Sequence, residues 1–356
     1  MPMGNKIRVL IVEDSFLMRK IISDILSSDP AFEVVDKARN GKEALEKVFA
    51  LRPDVVTLDV NLPILDGLAV LQEIMQKQPT RVIMLSAYTQ QGAAATITAL
   101  EMGALDFIAK PSGEISLDLH QLRDAILSKV KLAAEVDWES FLATLKLPVV
   151  PPPRVKPKKP FEIKKLVVIG ASTGGPRAIL QIMQLIPADI PASFLIVQHM
   201  PEGFTLSFAE RISWESGIKS KEAEDGDILL RGKAYVAPAG FHMVLDKIWD
   251  EEGNKLQIQL NQEPLVNFVR PSVTITMNSA AEVFGSNVIG VILTGMGKDG
   301  LKGARRIKES GGFLIAQDKA TSVVWGMPKV VIDEGLADCI LPLSDIPAEI
   351  IKKVGR

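Results

Sequence analysis

The sequence predicts two α/β domains, each built on a mostly parallel sheet, joined by a proline-rich tether. Three observations carry that expectation. The chain has 356 residues, which at roughly 150 residues per domain means two domains. Short apolar runs alternate with segments of helical spacing in both halves, the pattern of a sheet covered on both faces. Between the halves, PVVPPPRVKPKKP at residues 148–160 carries six prolines. Such a segment favours extended polyproline geometry and cannot pack as a core. A proline-rich ligand for a partner protein is the alternative reading of it.

Composition excludes several function classes. Hydrophobic residues at 47% and charged residues at 24% suit an ordinary globular protein. A net charge of −2 lacks the basic excess of a general nucleic-acid binder. Cys339 is the only cysteine, so internal disulfides and thiolate clusters are excluded, as a reducing compartment would favour. The longest stretch without Asp, Glu, Lys or Arg, residues 82–100, contains Ser86, Thr89, Gln90 and Gln91 and is too polar to span a membrane. The first fourteen residues lack the h-region and cleavage site of a signal peptide. A cytoplasmic location without membrane insertion is expected.

In the first half, residues 7–12, 32–35, 55–58, 82–85 and 105–108 read as strands. Residues 16–26, 43–49, 68–75, 94–102 and 119–132 have helical spacing. Five β-α units predict a parallel sheet, whose ligand chemistry collects at the carboxyl ends of the strands. The polar residues there are Glu13, Asp14, Asp59, Ser86 and Lys110. Three carboxylates in one place repel one another, and a hard cation such as Mg²⁺ resolves that repulsion while accepting phosphate oxygens. Each residue alone is an ordinary acid or hydroxyl at a strand end. Together they suit an aspartate that receives a phosphoryl group as an acyl phosphate.

LIVEDS, TLDVNLPILDG, MLSA and DFIAKP resemble, in content and order, the response-regulator receiver domain over residues 6–130. That resemblance implies a (βα)5 fold with Asp59 as phosphoacceptor and Mg²⁺ as cofactor. Asp14 would ligate the metal directly, Glu13 through water, and the Asn61 backbone carbonyl would complete the site. Ser86 and Phe107 would form the switch pair, and Lys110 would contact the phosphoryl oxygen.

After the tether, placed at 131–163, the domain expected at 164–352 has strand-like runs at 166–169, 194–197, 288–293, 313–316 and 339–341. Helical stretches follow at 178–186, 204–214 and 304–309. Residues 233–236, 243–245 and 256–260 read as short antiparallel strands, with turns at 238–240 and 252–254. A doubly wound, mostly parallel sheet carrying an antiparallel hairpin insertion is predicted. No helix-turn-helix with a basic recognition face is visible, so an enzyme is the better expectation than a DNA-binding output.

Two motifs compete for its chemistry. VVIGASTGGP at residues 167–176 runs from a strand through Gly170-Ala171-Ser172-Thr173-Gly174 into a helix, the G-x-S-x-G turn that lifts a serine clear of the backbone. A plain helix-capping serine is the bland alternative. VILTGMGKDG at residues 291–300 has Gly295, Gly297 and Gly300 in dinucleotide spacing, with Asp318 downstream as a ribose-binding acid. That reading ranks lower, because Asp299 would sit inside the phosphate-facing turn and repel pyrophosphate.

Histidines sharpen the choice. His120 lies in the first domain and His242 on the hairpin, whereas His199 follows a strand as Ser172 does. Asp299 follows the 288–293 strand. Ser172, His199 and Asp299 thus offer a hydrolytic triad in an order unlike the α/β-hydrolase one, and triads are defined by geometry rather than order.

IGASTGGP, VQHMPEGFT, EAEDGD, AYVAPAGFHM, VRPSV, GVILTGMGKDG and VVWGMP resemble the catalytic domain of the chemotaxis protein-glutamate methylesterases over residues 164–352. The resemblance implies Ser172 as nucleophile, His199 as general base and acid, and Asp299 as the orienting carboxylate. The Met296 backbone amide would donate to the oxyanion, with Thr173 assisting, and no cofactor would serve the esterase. It also implies a chemotaxis histidine kinase as phosphodonor and methyl-accepting chemoreceptors as substrate, with receptor glutamine deamidation a further family activity. An unphosphorylated receiver would cover the catalytic rim, and phosphorylation would loosen it. Arg270 is open between attracting an acidic receptor surface and a structural ion pair.

Overall fold

The computed structural model describes residues 6–87, 89–111, 115–145, 163–250 and 253–355, which divide into two units, Met1–Leu145 and Lys146–Arg356. The first unit runs β1 (Ile7–Val12), α1 (Phe16–Ser27), β2 (Phe32–Ala38), α2 (Gly41–Leu51), β3 (Val55–Asp59), α3 (Gly67–Lys77), β4 (Arg81–Ser86), α4 (Gln90–Met102), β5 (Asp106–Ala109), α5 (Ile115–Glu135) and α6 (Trp138–Leu145). Its five strands are parallel in the order β2-β1-β3-β4-β5. Val9–Val12 of β1 and the whole of β3 are buried, because helices cover both faces and no alternation is needed. Side chains of Ser15, Asn40, Asp66 and Thr89 accept the amides of Met18, Glu43, Ala69 and Gly92 and so start α1 to α4.

The tether expected at 131–163 differs in its first part. Residues 131–145 complete α5 and form α6, and Val136 and Phe141 are buried. Trp138 Nε1 donates to the Pro79 carbonyl at 3.2 Å and the Arg81 guanidinium lies 5.4 Å from its ring centroid, so an apolar, aromatic stretch found a surface to cover. The proline-rich run at 148–160 lies outside the described residues.

The second unit runs β6 (Lys165–Ala171), α7 (Gly175–Leu185), β7 (Ala192–Gln198), α8 (Phe204–Glu215), β8 (Lys219–Glu222), β9 (Lys233–Val236), β10 (His242–Asp250), β11 (Gly253–Asn261), α9 (Val273–Phe284), β12 (Val288–Ile292), α10 (Leu301–Glu309), β13 (Phe313–Gln317), α11 (Met327–Asp333), β14 (Cys339–Leu341) and α12 (Ile346–Val354). Seven parallel strands take the order β14-β13-β12-β6-β7-β9-β8. β10 and β11 pair antiparallel over nine residues each. Met243, Leu245 and Ile258 of this hairpin share one core with Val168 and Val197 of the sheet and Val273 and Met277 of α9.

One strand expected as antiparallel is not. β9 pairs parallel with β7 and with β8, because α8 returns the chain to the starting end of the sheet before β8 and residues 223–232 return it again before β9. The charged edge strand β8 (KSKE) carries no apolar signal, and the β-branched opening of α9 (VTIT) hides a helix.

Candidate functional sites at the two strand-end crevices

In the first unit the strand order reverses between β1 and β3, the place where open parallel sheets bind ligands. Glu13, Asp14 and Asp59 meet there, with one oxygen of each within 4.8 Å of the others. Lys110 Nζ lies 2.7 Å from Glu13 Oε2 and 2.7 Å from Asp59 Oδ2. The Asn61 amide donates to Asp59 at 3.2 Å. Burial, aided by repulsion from Asp59 and opposed by Lys110, pushes the Glu13 carboxyl up to about 7. Burial also raises Asp59 against the pull of Lys110. Burial alone would lower Lys110, but the two carboxylates outweigh it and hold the ammonium charged. Desolvated carboxylates crowded at one point fit a divalent cation. Ser86 is fully buried and its hydroxyl donates to the Gly92 carbonyl of α4 at 3.1 Å. Phe107 is buried, with Lys129 Nζ 5.3 Å from its ring centroid.

In the second unit the order reverses at β6, flanked by β12 and β7. Ala171 pairs with Gln198, so Ser172 and His199 stand next to one another just beyond the sheet. The His199 amide donates to the Ala171 carbonyl at 3.1 Å, on strands spaced by about 4.8 Å. The Ser172 amide donates to the Thr294 carbonyl at 3.0 Å, tying the serine to the strand on its other side. His199 Nε2 lies 3.0 Å from Asp299 Oδ2.

Asp299 is a buried carboxylate with every need met. Oδ2 accepts the Val273 amide at 2.7 Å besides His199. Oδ1 accepts the Ser272 hydroxyl at 2.8 Å, the Asn267 side-chain amide at 3.1 Å and the Thr274 amide at 3.2 Å. Ser272 is the N-cap of α9 yet makes no capping bond; the Asp299 carboxylate takes that place, where the helix dipole favours an anion. Burial works against ionisation, but the bonds from His199, Ser272 and Val273 prevail and hold the Asp299 carboxyl well below the ordinary range.

Two glycines make this approach possible. A Cβ on Gly170 would lie 2.3 Å from Val273 Cγ1, so only glycine lets the start of α9 reach the carboxylate. A Cβ on Gly295 would lie 2.8 Å from Ser172 Cβ and 2.5 Å from Met327 Sδ. The Gly295 carbonyl accepts the amides of Gly326 and Met327, and its own amide donates to Val324. Met296 is exposed, and its amide has no acceptor among the described residues. Thr173 follows Ser172 in the turn, and its carbonyl accepts from Thr294 Oγ1 at 2.9 Å.

The remaining candidates fall outside this cluster. His242 is buried with both nitrogens engaged, Nδ1 by the Ser272 amide and Nε2 near the Pro264 carbonyl. His120 is exposed on α5. Asp318 accepts Thr321 at 2.9 Å and 2.6 Å and is spent on a local turn rather than held for a ribose. Arg270 donates to the carbonyls of Gln262 and Glu263, an internal clasp rather than an ion pair.

Sequence reasoning missed four contributors. Asn267, Ser272 and the α9 amides serve Asp299, and the buried Gln198 donates through Nε2 to the carbonyls of both Ser172 and His199 at 2.9 Å and 3.0 Å. The proline-serine pair at 271–272 was the available signal of a helix start.

Residues 167–350 match the family described as CheB methylesterase, and residues 9–121 match the response regulator receiver domain. The chain is 49% identical over 355 residues to the protein-glutamate methylesterase/protein-glutamine glutaminase of Pyrococcus horikoshii, covering 99% of this chain and 95% of that one. The chain belongs to the CheB methylesterase family. The Thermotoga maritima member is 47% identical over 98% of both chains. The crystal structure of the Thermotoga maritima CheB methylesterase catalytic domain, at 49% identity, covers 53% of this chain and 97% of its own with a TM-score of 0.51. The second unit is therefore an ester hydrolase, and the first is a receiver. No described helix is long and apolar enough to cross a membrane.

Proposed function

We propose that this CheB-family chain hydrolyses the γ-methyl esters of methylated glutamates on chemoreceptors, with Ser172 as nucleophile. The His199–Asp299 bond of 3.0 Å beside a register-matched Ser172 carries the reading. Asp299 occupies Nε2, so Nδ1 is the nitrogen that takes the serine proton. Ser172 Oγ attacks the ester carbonyl as that proton passes to His199. The tetrahedral intermediate collapses, and the imidazolium protonates departing methanol. Water then gives a proton to the same imidazole and cleaves the acyl-enzyme, releasing a free carboxylate and restoring the serine. The Met296 amide, assisted by Thr173, supports the oxyanion, a contribution of about 3 kcal/mol per donor in a comparable hydrolase. The same steps with ammonia leaving deamidate glutamine, in keeping with the double name of the relatives.

The first unit serves as the input, in the cytoplasm. Asp59 accepts a phosphoryl group from a chemotaxis histidine kinase, its carboxylate oxygen bonding phosphorus as the kinase imidazole leaves. Glu13, Asp14, Asp59 and the Asn61 carbonyl would hold Mg²⁺, which when bound neutralises charge on the transferring group. Lys110 receives the phosphoryl oxygen, and Ser86 with Phe107 carries the rearrangement outward. Phosphorylation raises the esterase rate; no cofactor enters the ester chemistry.

Methanol release from methylated receptor membranes tests this. Ser172→Ala is expected to lose at least about 10⁴-fold in rate with its thermal midpoint kept. A folded Ser172→Ala protein retaining a tenth of the activity would end the reading.

A further inference from the structure

Val266 and Val269 exchange backbone hydrogen bonds at 3.2 Å and 3.1 Å, closing a two-residue turn. Its central residues, Asn267 and Phe268, have φ of 54° and 66°. Positive φ at both positions is the type I′ arrangement, which asks for Asn-Gly. Asn267 obeys that demand and Phe268 does not. A bulky aromatic residue in the left-handed region is a true outlier, and such outliers persist where function retains them. Burial offers Phe268 no compensation, since it is 94% exposed, the most exposed of the large apolar residues described.

The position of the turn says what the outlier is for. Asn267 reaches Asp299 with its side chain, so the next residue projects from the rim of the catalytic crevice. Arg270 clasps the Gln262 and Glu263 carbonyls, and its own carbonyl accepts the Gly240 amide beside Phe241. The turn is therefore fixed at both ends. Leu265 and Met296, on the same loop and on the loop that carries Asp299, are also exposed at 56% and 58%. Large apolar side chains left exposed on the loops around a site suit contact with a macromolecule rather than with the ester group itself.

We infer that Phe268 is a specificity-determining residue: it engages an apolar patch of the substrate protein flanking the esterified glutamate. This rests on the esterase reading above. The turn exchanges backbone comfort for a preorganised aromatic anchor at the mouth of the site.

The test compares the full-length protein with Phe268→Gly and Phe268→Leu on two esters, methylated receptor membranes and a short γ-methyl-glutamyl peptide. Glycine suits the turn, so Phe268→Gly is expected to keep or raise the thermal midpoint. The ratio of kcat/KM for receptor to kcat/KM for peptide is expected to fall about tenfold or more through KM, with Phe268→Leu recovering part of it. An unchanged ratio overturns the inference. So does a rise in receptor demethylation by Phe268→Gly without phosphodonor, which would assign the side chain to the receiver of this chain instead. Failure of the esterase reading is separate, because Ser172→Ala would then still release methanol.

Discussion

Two crevices, one per unit, sit at the same place in related sheets and hold their carboxylates in opposite states. In the receiver, Glu13 and Asp59 are buried beside one another and share a single ammonium, so both carboxyls are raised. In the esterase, Asp299 is equally buried but receives five hydrogen bonds, two of them from the first amides of α9, and is lowered. Burial acts the same way on all three. What differs is whether the fold supplies donors or further charge. A site left electrostatically unsatisfied is suited to change state on taking a cation or a phosphoryl group, whereas a fully satisfied one is suited to stay as it is while a neighbour reacts. The receiver crevice is built as a switch and the esterase crevice as a fixed tool.

The sharpest way to break that contrast is Asp299→Asn. If the carboxylate is a fixed part of the tool, its loss costs about 10⁴-fold in methanol release, as in another Ser-His-Asp hydrolase. A loss under tenfold would show that His199 needs no orienting anion. Next in size is Gly295→Ala. The added methyl must displace Ser172 or Met327, and a misplacement of that order costs about 10²-fold. Near-native turnover would show that the crevice yields like a switch. Asp59→Asn sharpens the other side: phosphodonor stimulation of the esterase disappears, while the unstimulated rate stays within about twofold. Stimulation that survives would move the phosphoacceptor elsewhere.

The smallest effect concerns pH. The folded Asp299 carboxyl is held down, so the stability it supplies is fully present above the unfolded carboxylate value of about 3.9 and is lost as pH falls toward the folded value. The gap in thermal midpoint between the wild type and Asp299→Asn is therefore expected to be widest at neutral pH and to narrow below about pH 4. A gap that widens on acidification would reverse the sign assigned here.

Much of this was legible before any coordinates. Continuous apolar runs such as 55–58 and 166–169 need two covered faces, and that requirement alone dictates parallel sheets with chemistry at the strand ends. Glu13, Asp14, Asp59 and Lys110 meet as strand-end residues should, and His199 meets Asp299 beside the backbone of Ser172. β9 runs parallel against the sequence expectation, because a four-residue strand carries no signal of its direction, which the preceding connection decides. Helices α5 and α6 reached past the expected boundary because Phe141 and Trp138 look unremarkable until Arg81 and Pro79 are seen beneath them.

The amino-acid order determined which residues stand at the ends of strands, since the strand period and the demand to bury apolar side chains act locally. Only the tertiary structure decided how those residues are charged and held. Backbone amides have no letter in the sequence, so the Val273 and Thr274 donors that help hold the Asp299 carboxylate in place are invisible until α9 is docked against Gly170. The left-handed backbone of Phe268 is hidden for the same reason: a turn closed by the main chain imposes its angles on whatever side chain it carries.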